Sequence, residues 1–351
     1  MRAWIPQRHG EVAWGWGERG LLALARAGAR ELAASPWRGL RERARRELGL
    51  PLDRPVVASG HQPLVIHPGI LLRQLFLAAL PPEVEPLWIS VDSDSPPAVE
   101  FPIPLRRRTH TTHRLVLLAN EAGRILAALP APSATRLSQT WDRMRKRLET
   151  LENKAILKRT AQAWGRLPEP GDSWPGWWEE AKARLAGVSR VRVISATALA
   201  ATRPFRAFVE LLLSREEIFS AAYRRAADRA GIAPLAPGEL PFWRLEGGRR
   251  WPARARDQAH LPRALMLTFY LRAVVCDFFL HGVGGTGYEP GVDLLFQELC
   301  RGEPPPWGWL TGTFLLPEPS EQERLPGREF PFFLHDIEEA RRGLAGPLSA
   351  L

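Results

Sequence analysis

Between Pro55 and Val91 the chain reads strand, helix, strand, and no other stretch limits the possible folds so tightly. Pro55-Val56-Val57-Ala58-Ser59-Gly60 is a short apolar run ending in glycine, the pattern of a strand buried on both faces. His67-Pro68-Gly69 then opens the apolar segment Ile70–Leu80, long enough for about three helical turns, with Pro68 suited to the first turn. A second apolar run follows at Leu87-Trp88-Ile89-Ser90-Val91. Together these make a βαβ unit, whose crossover is right-handed and whose ligands lie beyond the carboxyl ends of its strands. The expectation is an α/β fold with a parallel-sheet core and polar site residues at the strand ends.

The flanking sequence divides around this unit. Residues 1–50 read as an N-terminal helical segment, with Gly20–Leu32 and Arg38–Leu48 at helical spacing and Ser35-Pro36 as a stop and restart between them. Residues 51–118 form the first part of the core and end in two extended segments over 101–118. Residues 119–187 read as a helical insertion, with a charged helix from Leu137 to Trp164 and another after the tryptophan-rich Asp172–Trp178. Residues 188–351 carry the second part of the core. They contain a strand at Val191–Ser195, helices near 204–214 and 216–230, and a helix running into a short strand over 263–280. A helix at Gly291–Cys300 follows with Pro290 in its first turn, then a Pro-rich loop at 304–306, a strand near Leu310–Leu315 and a closing helix near His335–Leu344.

Composition narrows the function classes. A hydrophobic fraction of 45% with 25% charged residues over 351 residues is that of a folded globular protein. No apolar run reaches membrane-spanning length, and MRAWIPQRHGEVAW lacks the pattern of a signal peptide, so a cytoplasmic protein without membrane contact is expected. Cys276 and Cys300 are too few for a disulfide framework or a four-thiolate zinc site and read as packing residues. The net charge of +10 is compatible with nucleic acid, but lysine occurs only at Lys146, Lys154, Lys158 and Lys182. An arginine-rich balance of this kind points first to composition or a hot habitat. Nothing in the sequence sets an oligomeric state.

The chemistry-bearing residues fall in three places. Gly60-His61-Gln62 with His67-Pro68-Gly69 joins a strand end to a helix N-terminus, where unpaired N–H groups and the helix dipole favour an anion. Imidazoles there can donate to phosphate oxygens and stabilise developing charge; the alternative for His61 and His67 is structural capping. Asp92-Ser93-Asp94-Ser95 ends the second strand, where Asp92 and Asp94 can act as general base, orient an amine or ribose, or hold magnesium; the alternative is turn and cap formation before Pro96-Pro97. The third place is His281-Gly282-Val283-Gly284-Gly285-Thr286-Gly287-Tyr288. Its G-x-G-x-x-G spacing lacks the context of a dinucleotide fingerprint, because Glu303 runs into Pro304-Pro305-Pro306. A glycine turn close to a ligand, with His281, Gly282, Gly284, Gly285, Tyr288 and Asp293 as contacts, competes with a plain strand-to-helix connection. Arg106–Arg108 with His110 and His113 reads as a solvated hairpin tip rather than a phosphate site. Trp174, Trp177 and Trp178 read as packing. A metal site from His61, His67, Asp92, Asp94 and His281 is a further alternative, without any tight motif to support it.

Gly60-His61-Gln62 with His67-Pro68-Gly69, followed by Trp88-Ile89-Ser90-Val91-Asp92-Ser93-Asp94, resembles the bacillithiol-biosynthesis cysteine ligase family. That family carries G-Q-Q-x-G-L-x-T-G-P and then W-I-A-x-E-D-H-D, and Gly282–Tyr288 is similar in placement to its G-G-P-x-E-I-A-Y. The resemblance implies a Rossmann-like, nucleotidyltransferase-related core and an enzyme of the kind that joins cysteine to the amine of a glucosaminyl-malate; the residues themselves fix no cofactor, with ATP or ADP and magnesium as candidates. It places His61 and Gln62 in the first strand-end loop and Asp92 and Asp94 in the second. The departures are definite: His61 stands where the family has Gln, Pro63 and His67 are foreign to the pattern, and acid-His-acid has become Asp-Ser-Asp. The chain is also too short for the family's long coiled coil. No lysine follows Lys182, so a K-M-S-K-S-like loop is missing, and Arg263 or Arg272 are the candidates to replace it. The leading expectation is therefore a distant relative, a carbon–nitrogen ligase or nucleotidyltransferase-like enzyme. In it His61 and His67 stabilise charge, and Asp92 or Asp94 receives the amine proton. An arginine-rich nucleic-acid-binding or scaffold protein is the second reading and a metal-dependent hydrolase the third.

Overall fold

The computed structural model describes the chain except residues 1–2, 9, 65–67, 106–110, 121, 150–153, 255–259, 301 and 314–339. The elements run β1 (Glu11–Gly15), α1 (Leu21–Ala34), α2 (Arg38–Glu47), β2 (Val56–His61), α3 (Pro68–Ala79) and β3 (Glu85–Ser90). An antiparallel pair, β4 (Ala98–Leu105) and β5 (Thr111–Ala119), precedes the helices α4 (Ala134–Glu149), α5 (Lys154–Trp164) and α6 (Trp174–Ala186). Then come β6 (Arg192–Ser195), α7 (Ala196–Ala201), α8 (Arg203–Leu213) and α9 (Glu216–Arg229). A small antiparallel sheet follows, built from β7 (Phe242–Glu246), β8 (Arg249–Pro252) and β9 (Leu261–Pro262). The chain continues through α10 (Ala264–Tyr270), β10 (Phe278–His281), α11 (Glu289–Cys300), β11 (Trp307–Thr313) and α12 (Ala345–Ser349).

The protein is a mixed α/β fold around a six-stranded, mostly parallel sheet of order β1-β11-β10-β2-β3-β6. Only β1 runs antiparallel, against β11. Reading outward from β2, the chain proceeds through β3 and β6 on one side and through β10 and β11 on the other. The direction of progression therefore reverses between β2 and β10, and a crevice opens at such a point because the connections leave to opposite sides.

Strand residues alternate between two cores, as the period of two requires. Val56, Ala58, Leu87, Ile89 and Phe279 pack among α2 and α7–α11, while Val57, Trp88, Phe278 and Leu280 pack against α3, α6 and their neighbours. The inner strands β2, β3 and β10 are buried on both faces, which is why they read as continuous apolar runs. Gly28 lets α1 lie directly on the sheet, since a Cβ there would overlap the Asp277 carbonyl. At the amino-terminal end of the strands, Asp277 is buried between Arg41 and Arg45 and accepts the Val56 N–H at 2.7 Å. This cluster ties α2 to the starts of β2 and β10.

The sequence misplaced some elements. The first fifty residues are not wholly helical, because Glu11–Gly15 adds an edge strand whose partner lies some three hundred residues downstream, beyond any local pattern. The segments over 101–118 do not join the central sheet; β4 and β5 pair with each other. Within 137–164 the structure describes α4 and α5, with 150–153 outside the described residues, and 263–280 is a helix running into a short strand as expected, with a π-helical turn at Leu271–Val275 between α10 and β10. The first half of the expected closing helix, 335–339, lies outside the described residues, and 340–343 is helical. No helix among the described residues is long and apolar enough to cross a membrane.

Candidate functional site

A cleft of about 710 Å³ opens at the carboxyl end of the sheet where β2 and β10 part. Gly60, His61 and Gln62 line it together with His281, Gly282, Gly284, Gly285 and Tyr288; Gly69 and Ile70, in the first turn of α3, border it as well. Two of the three loops singled out in the sequence thus meet. The glycines explain the approach. At Gly60 a Cβ would stand 2.6 Å from the Ile89 carbonyl oxygen, and at Gly285 it would overlap the His281 ring. The segment Val283–Tyr288 is a 3-10 helix leading into α11, a compact connection rather than a dinucleotide loop.

The second strand-end loop contributes less than expected. Only Val91 of that loop lines the cleft. The Asp92 carboxylate is buried and accepts from both the backbone N–H (2.9 Å) and the hydroxyl of Thr197, fastening the start of α7. Burial pushes the Asp92 carboxyl up, and the Thr197 bonds oppose the shift. Asp94 accepts from Gln62 Nε2 at 3.1 Å and pairs with Arg250 at 2.7 Å, bridging the β2 and β3 loops to β8. Asp293 likewise turns from the cleft to Arg272, at 2.8 Å. All three acids are engaged by donors of neighbouring elements, and none of them is among the residues that line the cleft. His67 lies outside the described residues, as do Arg106–Arg108 and His110. Among the described residues no three His, Cys, Asp or Glu side chains gather as metal ligands.

The residue that sequence reasoning missed is Arg73, in the second turn of α3. It is 4% exposed, lines the cleft and lies against Gly282. Its Nη1 donates to Ser59 Oγ (2.9 Å) and to the Gly60 carbonyl (3.1 Å), both neutral, while its Nε has no partner. Ser59 Oγ in turn donates to the Leu280 carbonyl at 2.6 Å, so that hydroxyl is oriented with its lone pair toward Arg73. Behind Arg73 the Trp88 ring is also approached by the buried Lys182 ammonium, 5.1 Å from the centroid against 5.6 Å for the guanidinium. Lys182 has its counter-ion in Glu179 at 2.7 Å, and Glu179 also accepts from Ser90 Oγ at 2.8 Å. Among the described residues Arg73 has no carboxylate. Burial pushes its pKa down to about 10. The sequence signal was available: Arg73 is the sole charge in the apolar run Ile70–Leu80.

Arg272 and Arg263, the candidates for a phosphate grip, are committed elsewhere. Arg272 is buried between Glu289, Asp293 and the Pro305 carbonyl. Arg263 pairs with Glu239 at 3.0 Å and stacks over Trp243 at 4.0 Å. Glu289, hidden in sequence as an ordinary first-turn acid of α11, is fully buried and joins Arg272 to His281 Nε2. Burial alone would raise the Glu289 carboxyl, but the Arg272 guanidinium and His281 hold it below the ordinary range. The apolar floor comes from α10 and the π-helical turn through Leu267, Thr268 and Leu271. Trp174, Trp177 and Trp178 stack on one another within the core, as packing.

The chain matches no protein-family model, and no curated protein matches it significantly.

Proposed function

We propose that the chain is an enzyme acting on a small anionic metabolite, and that Arg73 with the first turn of α3 holds the anionic group. The observation that carries this reading is a guanidinium buried at the cleft that, among the described residues, has no carboxylate to match it and one nitrogen without a partner. A charge in that position is costly unless something neutralises it, and a phosphate or carboxylate entering the cleft supplies the missing partner through charge-assisted bonds. The helix N-terminus beside it adds favourable potential of the same sign. In this reading the core is Rossmann-like and nucleotidyltransferase-related. The order of its parallel strands, with the third, second, first, fourth and fifth side by side, and the cleft at the reversal point support that kinship. The class of reaction, joining an amine to an activated acid or transferring a nucleotidyl group, rests on the resemblance of Gly60–Gln62 and Trp88–Asp94 to the cysteine ligase family. His61, half-buried on the cleft wall, is a second polar contact for the bound group.

The experiment is a thermal-shift panel of ATP, ADP, inorganic phosphate and sugar acids, on wild type and on Arg73→Met and His61→Ala. A ligand at a hundred times its Kd raises stability by about 2.7 kcal/mol, which is readily seen. A shift that Arg73→Met abolishes and His61→Ala weakens is expected. No shift across the panel, or a shift indifferent to Arg73, refutes the proposal.

A further inference from the structure

With Asp92 and Asp94 occupied by Thr197, Gln62 and Arg250, the proposed reaction lacks the carboxylate expected to take a proton from the attacking amine. We infer that His281 is the proton-transfer residue of the cleft, taking up a proton at Nδ1 from an amine or hydroxyl of the bound substrate, with Glu289 as its positioning residue. This assignment rests on the cleft being the ligand site.

The geometry separates the two ring nitrogens. Nε2 is engaged by the buried Glu289 carboxylate, so it carries the proton in the neutral ring and donates it there. Nδ1 makes no hydrogen bond within the described residues and faces Gly285, where any side chain would collide with it. The ring is further fixed edge-to-face against Phe279, 4.6 Å away, and Trp307, 6.2 Å away. The other oxygen of Glu289 accepts from Arg272, whose second arm reaches Asp293 and the Pro305 carbonyl. The carboxylate is therefore held from behind and cannot rotate away from the imidazole. A carboxylate in this place selects the tautomer and balances the imidazolium without itself receiving a proton.

Charge arithmetic agrees. Arg272, Glu289 and Asp293 together carry one net negative charge, and a proton on His281 brings the group to neutrality. In the step itself the N–H or O–H bond of the acceptor breaks and its electron pair remains on that atom as the nucleophile. The proton forms a bond to Nδ1, and Nε2–H stays with Glu289. Arg73, which lines the same cleft and lies against Gly282 beside His281, holds the anionic group, so nucleophile and anion are brought together in one cleft.

The test is long-range ¹H–¹⁵N correlation on the full chain labelled at histidine, with His281 assigned by loss of its signals in His281→Gln. Wild type is expected as the Nε2–H tautomer with an unprotonated Nδ1, and Arg73→Met is expected to leave that pattern intact. Glu289→Gln, or Glu289→Asp should the first variant not fold, is expected to give a mixture of tautomers. Phosphoethanolamine, which carries a phosphate and an ammonium, is expected to move the Nδ1 resonance, whereas ethyl phosphate, without the amine, leaves it in place. A histidine held only for packing would not distinguish the two probes. An Nδ1–H tautomer in wild type, a wild-type pattern in both Glu289 variants, or equal responses to two bound probes overturns the inference. Failure of the anion site shows separately, as absence of any Arg73-dependent shift with either probe while the tautomer result still decides the role of Glu289.

Discussion

Replacing Arg73 by methionine should leave the fold nearly as stable as before while removing ligand response. Burial lowers the pKa of this guanidinium to about 10, and a displacement of that size means the fold disfavours the charged form by about 3 kcal/mol. The sign follows from linkage: the unfolded chain binds the proton more tightly, so the penalty is fully present below about pH 10. It is relieved only as pH rises through the folded value toward the ordinary arginine range. Against this stand the bonds to Ser59 Oγ and the Gly60 carbonyl, each about 1.5 kcal/mol as charged hydrogen bonds. The terms cancel to within about 1 kcal/mol, and methionine replaces most of the apolar stem. Thermal melting at neutral pH should therefore move by no more than about 2 °C. An arginine buried for structural pairing behaves otherwise, since breaking a buried pair costs about 3–5 kcal/mol. A variant destabilised by about 4 kcal/mol that still responds to phosphate would refute the reasoning, because Arg73 would then be a strut and the anion would sit elsewhere.

Asp277→Asn should show the contrasting behaviour: Arg41 and Arg45 lose their shared counter-ion, and urea denaturation should report a loss of about 3–5 kcal/mol. Gly285→Ala places a Cβ against His281, so a cost of about 1–3 kcal/mol from overpacking and loss of the His281 tautomer pattern are expected, read by melting and by ¹⁵N spectra. Asp92→Asn keeps an acceptor for the Thr197 N–H and removes a buried charge. Because the folded carboxyl is raised by burial, wild-type stability should fall as pH rises from the ordinary aspartate range of about 4 through the folded value. The asparagine variant should lack that component, in urea melts compared between acid and neutral pH; an unchanged pH profile would argue against it.

The parts of the molecule legible in the sequence are those whose cause is local. Val56–Gly60 and Leu87–Ser90 are buried on both faces and read as apolar runs, and Pro68 and Pro290 marked the starts of α3 and α11. Gly60 and Gly285 read as a sharp turn and an approach to a ligand, and the contacts that the structure contains at them are with Ile89 and His281. What escaped depended on distant partners. The strand Glu11–Gly15 exists because β11 offers it an edge, and β7–β9 pair across the loop between Pro252 and Leu261. Asp92 and Asp94 sit in the loop expected of them, but whether a carboxylate faces a cleft or a helix start is settled by where Thr197 and Arg250 arrive. Nothing in the sequence singles out Glu289, because an acid in the first turn of a helix is ordinary.

Buried charge separates the two ends of the sheet in a way that residue types alone do not. At the amino-terminal end Asp277 gathers Arg41 and Arg45, and the backbone N–H of Val56 completes its shell, so the cluster is closed. At the carboxyl end Lys182 is matched by Glu179, and Arg272 by Glu289 and Asp293. Arg73 alone of these buried cations is left with neutral acceptors, and it is the one that borders the cleft. On the proposed reading, a fold that supplies counter-ions to its other buried cations and, among the described residues, none to this one leaves the position to be matched by a bound anion. The position also lies where the strand order reverses, in the same cleft as an imidazole whose Nδ1 makes no hydrogen bond among the described residues. Charge, topology and the histidine orientation arise from different segments of the chain, and their coincidence at one opening is what the Arg73 and Glu289 variants put to the test.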